Sequence, residues 1–145
     1  MKKWFAVIGD PIAHSKSPEM HNVWYEEANV DATYIPIHVK QEQLQQVVES
    51  LKLLGASGWN VTIPHKQSII PFLDELDELA NKMGAVNTVV RTADGKLKGY
   101  NTDGTGFGKA LEEVIGLTHR AESVLLIGAG GAARGIAFAL QLAGY

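Results

Sequence analysis

Short continuous apolar runs alternate with helically spaced ones along this chain, and each is closed by a residue that stops it. Trp4 to Ile8 is an apolar run ended by Gly9-Asp10-Pro11, which predicts a buried strand. Ser17-Pro18 then opens a helix, with serine as N-cap and proline at the first helical position. Met20, Val23, Trp24 and Ala28 share one face of that helix. Thr33 to Val39 predicts a strand whose Pro36 suits a sheet edge. Leu44, Val47, Val48, Leu51 and Leu54 form an amphipathic stripe, ended by Gly55 as the C′ residue. Gly58 to Ile63 reads as the end of a buried strand stopped by Pro64. Leu76, Leu79, Ala80 and Met83 mark another helix, stopped at Gly84.

Val86 to Thr92 and Lys96 to Tyr100 are two short strands, and Asp94-Gly95 between them predicts a type I′ hairpin and an antiparallel pair. A helix from about Gly104 to Ile115 follows, then a polar link through Thr118-His119-Arg120. Val124 to Ile127 predicts a buried strand, and Gly128-Ala129-Gly130-Gly131 leads from it into a helix to Ala143. This alternation is that of an α/β protein: a mostly parallel mixed sheet flanked by helices. The last helix is apolar on nearly every side, from Ile136 to Leu142, and no strand follows it to complete a βαβ unit. The expectation is therefore the front of a longer protein, cut inside its second domain. Residues 1–102 would form the first domain, 103–120 a connecting helix and linker, and 121–145 the first β-α unit of a truncated Rossmann domain.

Composition narrows the classes. At 145 residues and 46% hydrophobic the chain supports a core, and 20% charge is too low for a disordered segment. A net charge of −3 with dispersed basic residues argues against a nucleic-acid partner. The apolar run after Met1-Lys2-Lys3 is too short for a signal peptide, and no run approaches a membrane span. The lack of cysteine fits a reducing, cytoplasmic compartment. The five histidines show no metal-ligand spacing, so metal catalysis is not expected.

Chemistry-bearing residues gather where predicted strands end. Lys66 follows the strand stopped by Pro64, Ser15-Lys16-Ser17 follows the first strand, and Asn101-Thr102-Asp103 follows the hairpin. Strand ends are where α/β folds place ligands, so these clusters suggest a small-molecule site built around one amine and one carboxylate. Each has a plainer reading: a solvated lysine, and Ser17 and Asp103 as helix N-caps. Two hydroxyls at a helix start, Ser15 and Ser17, also make a seat for a carboxylate. Gly128-x-Gly130-x-x-Ala133, between strand and helix, has the setting of the dinucleotide fingerprint, with Gly130 letting backbone approach a pyrophosphate. Residues that would choose NAD or NADP fall roughly 20 positions further on, past Tyr145. Gly104-Thr105-Gly106-Phe107-Gly108-Lys109 matches no nucleotide loop and is better explained by close helix packing.

Read together, Ser15-Lys16-Ser17-Pro18-x-x-His21-Asn22, Asn60-Val61-Thr62-Ile63-Pro64-His65-Lys66, Gly84-Ala85-Val86-Asn87-Thr88, Asn101-Thr102-Asp103-Gly104 and Gly128-Ala129-Gly130-Gly131-Ala132 closely resemble the shikimate dehydrogenase family. The resemblance implies a substrate domain followed by an NADP-binding Rossmann domain. It implies that Ser15 and Ser17 hold the carboxylate of shikimate, and that Asn60, Thr62 and Asn87 bond its ring hydroxyls. Lys66 and Asp103 would flank the reacting carbon. Glu78 would lie near the cofactor, and Gly128, Ala129, Gly130, Gly131 and Ala132 would bind it. The implied reaction is the reversible, NADP-dependent reduction of 3-dehydroshikimate to shikimate. Two readings compete with it: a relative that also takes quinate, and a fragment that binds shikimate without turning it over. A homodimer is compatible with all of them, and the apolar last helix predicts self-association.

Overall fold

A computed structural model describes residues 2–115 and 123–145; the polar link at Thr118-His119-Arg120 and the initiator Met1 lie outside them. Six strands form one sheet: β1 (Lys3–Gly9), β2 (Ala32–His38), β3 (Gly58–Val61), β4 (Glu75–Leu76), β5 (Thr88–Arg91) and β6 (Leu97–Tyr100). Their order is β2-β1-β3-β5-β6-β4. β5 runs antiparallel to both neighbours, β3 and β6, while β1–β2, β1–β3 and β4–β6 are parallel. One edge of the sheet therefore collects the carboxyl ends of five strands and the start of β5.

Alternation along β1 divides the core in two. Ala6 and Ile8 point to one face, where they pack with Trp59, Val61 and the buried stripe Leu44, Val48 and Leu51 of α2 (Leu44–Leu53). Val7 points to the other, with Ile12, Tyr34, Phe5 and Tyr25. Gly55, at φ +78°, and Gly84, at φ +60°, end their helices in the left-handed region, as predicted. The Pro36 strand is the edge strand β2.

The first helix, α1 (Ser17–Glu27), departs from expectation twice. Ser17 is its first helical residue and caps nothing; Lys16 holds the cap position. The side turned inward carries His21, Asn22 and Tyr25, whereas Met20, Val23 and Trp24 are exposed. Polar bonding explains the rotation. Asn22 donates from Nδ2 to the Tyr34 carbonyl and accepts from the Tyr34 N–H, each at 2.9 Å. It thus occupies edge-strand groups that no strand pairs.

Further on, a single helical turn, α3 (His65–Ser68), follows β3. Leu76 belongs to the short strand β4, so the next helix, α4, spans only Glu78–Met83. The hairpin loop is longer than type I′: Thr92 N–H bonds Lys96 O at 2.9 Å, and Gly95 alone is at positive φ, +84°. That is a three-residue loop with its glycine in the left-handed position. α5 (Asp103–Ile115) packs on α6 (Gly131–Leu142). Val124 to Ile127 forms no strand, and Leu125 and Ile127 are 86% and 91% exposed. A strand needs an adjoining edge to hydrogen-bond, and all six described strands lie in a sheet that does not include this segment.

Candidate active site

Strand β3 delivers Thr62 and the turn that carries Lys66. Thr62 is fixed by its N–H to Ile8 O at 3.0 Å and by its methyl group lying over Gly9, where a Cβ would collide with it. His65 is fully buried, and its Nε2–H donates to Val39 O at 2.6 Å, pinning the turn to the end of β2. The carbonyl of Lys66 accepts from Val86 N–H at 2.7 Å. Its Nζ donates to Asp103 Oδ2 at 2.6 Å, with the two side chains only 15% and 25% exposed.

Asp103 is placed from β6. Asn101, buried, accepts the Asp103 N–H on Oδ1 at 3.0 Å and donates from Nδ2 to Ala85 O at 3.0 Å. This turn caps α5 from two residues upstream, so Asp103 is itself the first helical residue and keeps its carboxylate for other partners. Asn87 Nδ2 donates to Asp103 Oδ1 at 2.9 Å and to Thr102 Oγ1 at 2.8 Å. Its oxygen accepts from Thr102 N–H at 3.0 Å and from Thr88 Oγ1 at 2.9 Å. Tyr34 continues the network, donating its hydroxyl to Asn60 Oδ1 at 2.7 Å. Asn60 Nδ2 in turn donates to Asn87 O at 3.2 Å and to Thr88 Oγ1 at 3.1 Å. An unbroken polar chain thus runs from Tyr34 through Asn60, Thr88, Asn87 and Asp103 to Lys66. Burial pushes the Tyr34 hydroxyl far above its ordinary pKa, so it stays a donor.

A cleft of about 590 Å³ opens beside Lys66. Thr62, Ile63, Pro64, Lys66, Gln67, Ser68 and Gln41 line one wall, and Gly130, Gly131 and Ala132 the other. Ser15 and Ser17 stand at the start of α1, on the loop leaving β1, where Ser15 Oγ accepts the Ser17 N–H at 3.3 Å. Lys66 and Asp103 are in direct contact, and Thr62 lines the cleft together with Lys66. Asn60 and Glu78 are placed differently. Both amide hydrogens of Asn60 are engaged by protein groups, Asn87 O and Thr88 Oγ1. Glu78 is exposed and bound to Lys82 at 2.5 Å, which holds its carboxyl below the usual range; it is not among the residues lining the cleft.

Residues 7–89 match the family model described as the shikimate dehydrogenase substrate binding domain. The chain belongs to the shikimate dehydrogenase family. It is 73% identical, over all 145 residues, to the shikimate dehydrogenase (NADP(+)) of Lysinibacillus sphaericus strain C3-41, covering 52% of that relative. A crystal structure of shikimate dehydrogenase from Aquifex aeolicus aligns with 99% of the chain and 53% of its own, at 40% identity and a TM-score of 0.93. Another, from Thermus thermophilus in complex with NADP(H) and shikimate, aligns with 98% of the chain and 53% of its own, at 39% identity and a TM-score of 0.88. The chain spans about half the length of the curated relatives it matches.

Family motifs carried Lys66, Asp103, Asn87 and Thr62 into view, but not Tyr34, the bridging role of Thr88 or the capping role of Asn101. Tyr34 sits 26 residues from Asn60 in sequence, and only the β2-β1-β3 strand order brings them together. Tyr34 falls within the strand predicted over Thr33 to Val39, but that prediction does not say what it meets. No helix among the described residues is long and apolar enough to cross a membrane, and no described cluster of His, Asp or Glu could hold a metal ion.

Proposed function

We propose that this chain supplies the shikimate-binding half and the catalytic pair of an NADP-dependent shikimate dehydrogenase, interconverting 3-dehydroshikimate and shikimate. The observation that carries this is the Lys66–Asp103 contact at 2.6 Å, with Lys66 lining a cleft whose far wall is a glycine turn. Residues 1–102 act as the substrate domain, 103–120 as the connection, and 121–145, with helix α6, as the opening of a Rossmann domain. The cysteine-free composition fits a cytoplasmic enzyme.

The glycine turn fits a dinucleotide. Gly128 adopts φ +131°, no atom lies within 4 Å of a Cβ built on Gly130, and α6 begins without a side-chain cap. Its first N–H groups are therefore available to a pyrophosphate. Gly128, Ala129, Gly130, Gly131 and Ala132 would hold NADP there; when bound, the reduced nicotinamide supplies the reducing equivalent for a ketone.

The chain's own residues manage the proton. As the substrate carbonyl becomes an alkoxide, the Lys66 ammonium stabilises the oxygen and donates a proton to it, leaving a hydroxyl and a neutral amine. In the reverse direction the neutral amine takes that proton back. Asp103 Oδ2 fixes the ammonium, while Asn87 holds the other carboxylate oxygen. Ser15 and Ser17, at the N-terminus of α1, would seat the substrate carboxylate, and Thr62 would meet a ring hydroxyl. A second hydroxyl would compete with the exposed Thr102 for Asn87 Nδ2.

An amide-resolved NMR titration with shikimate tests the reading. Shifts clustering at Ser15, Ser17, Thr62, Lys66, Asn87 and Asp103 are expected. A dispersed spectrum indifferent to shikimate would overturn both substrate and site; a response to quinate of equal strength would assign the broader specificity.

A further inference from the structure

Gly131 opens α6 and lies directly against the stem of Lys66. A Cβ built on it would stand 3.0 Å from Lys66 Cβ, 3.2 Å from Lys66 Cδ and 3.4 Å from Ala85 Cβ. The other glycines of the same turn make no such approach: Gly130 meets nothing within 4 Å, and Gly128 meets only Ala133 Cβ, at 3.7 Å. Gly131 is helical and outside the left-handed region, so what glycine provides there is space, not backbone freedom.

The opposite side of Lys66 is already fixed. Its carbonyl is tied to Val86 N–H, the neighbouring His65 is anchored to Val39 O, and its ammonium ends on Asp103. Between these fixed points runs a four-carbon stem with many rotamers of comparable energy. The α6 backbone at position 131 is the wall that selects among them. We infer that Gly131 is a positioning residue for Lys66: its missing side chain lets the first turn of α6 close on the lysine stem and hold the ammonium on Asp103. The inference rests on the role proposed above for Lys66. It also separates two tasks within one motif, because Gly130 leaves room for a ligand while Gly131 leaves room for a lysine.

The test is Gly131→Ala in the 145-residue chain, with no dinucleotide present. The ε-methylene and ammonium NMR signals of Lys66, assigned with Lys66→Ala, would be followed together with shikimate affinity. The expected result is that the Lys66 signals move and shikimate binds roughly tenfold more weakly. Gly108→Ala adds its methyl to open space and should change neither. Unmoved Lys66 signals in a folded Gly131→Ala chain would overturn the inference. If the unsubstituted chain binds no shikimate, the proposed function fails, yet the Lys66 signals still decide this point. Should Gly131→Ala fail to fold, adding Lys66→Gly restores folding if the lysine stem is what the methyl strikes; a double variant that stays unfolded, where Lys66→Gly alone folds, overturns it.

Discussion

Asn87 shows what one side chain can organise. It uses both amide hydrogens and its oxygen twice, joining Thr88 at the start of β5 to Thr102 and Asp103, which lie past the end of β6. Asn87→Asp would replace the group that donates to Asp103 with a second carboxylate. We expect it to lower unfolding free energy by about 1.5–3 kcal/mol, the usual range for a lost hydrogen bond to a charged group, in urea titrations. Lys66→Ala, in a chain extended to the length of its relatives, should cost on the order of 10²–10⁴ in kcat with a smaller change in KM. Near-full turnover in that variant would remove Lys66 from the mechanism. His21 sets a pH dependence of stability. Its ring stacks on Tyr34 at 4.3 Å and meets Trp24 edge-on, and burial lowers its pKa below 6.5. The unfolded chain then binds more protons, so this contribution is complete above pH 6.5 and is lost as pH falls below it. The thermal midpoint of the parent should therefore fall relative to that of His21→Phe between about pH 7.5 and about pH 5. Of these residues, Lys66 and Asp103 were legible because motif and strand end coincide. His21 and Asn22, on α1, were visible only as letters in a motif, since their partner, Tyr34, lies on strand β2.

Helix α5 carries three glycines that look alike in sequence and differ in space. A Cβ on Gly104 would fall 2.5 Å from Gly135 O and 3.2 Å from Ala139 Cβ, at the crossing with α6. Gly106 and Gly108 have nothing within 4 Å. Gly104→Ala should therefore destabilise by about 1–3 kcal/mol through overpacking. Gly106→Ala and Gly108→Ala should each stabilise by about 0.5–1 kcal/mol through helix propensity. Equal effects at all three positions in denaturant melts would show that α5 and α6 do not cross as described. The packing reading of this segment was available from its failure to match any nucleotide loop, but which glycine does the packing was not. Helical periodicity similarly located α1 while misplacing its inner face. The apolar stripe of Met20, Val23 and Trp24 was outweighed by two hydrogen bonds from Asn22 and the stacking of His21.

Across the whole molecule, fold class and strand positions followed from apolar runs and their stops, whereas sheet order depends on pairings between residues tens of positions apart. The two-residue strand β4 is too short to leave a periodic signal. The apolar stretch Val124 to Ile127 has the composition of a strand and lacks an edge to join. With that stretch exposed and the chain spanning half the length of its relatives, we expect the 145-residue chain to bind shikimate and to show no shikimate-dependent reduction of NADP⁺. A sustained rise in the near-ultraviolet absorbance of the reduced nicotinamide would contradict this.

The reversal of β5 has a practical outcome. Because this one strand runs against its neighbours, its first residue reaches the ligand edge and its last leads into the Thr92–Lys96 loop at the far end of the sheet. That loop is tethered at both ends yet shares no atom with the polar chain from Tyr34 to Lys66. A fluorophore or affinity tag grafted at the exposed Ala93 would have a silent address, from which binding at the opposite rim can be watched without being disturbed.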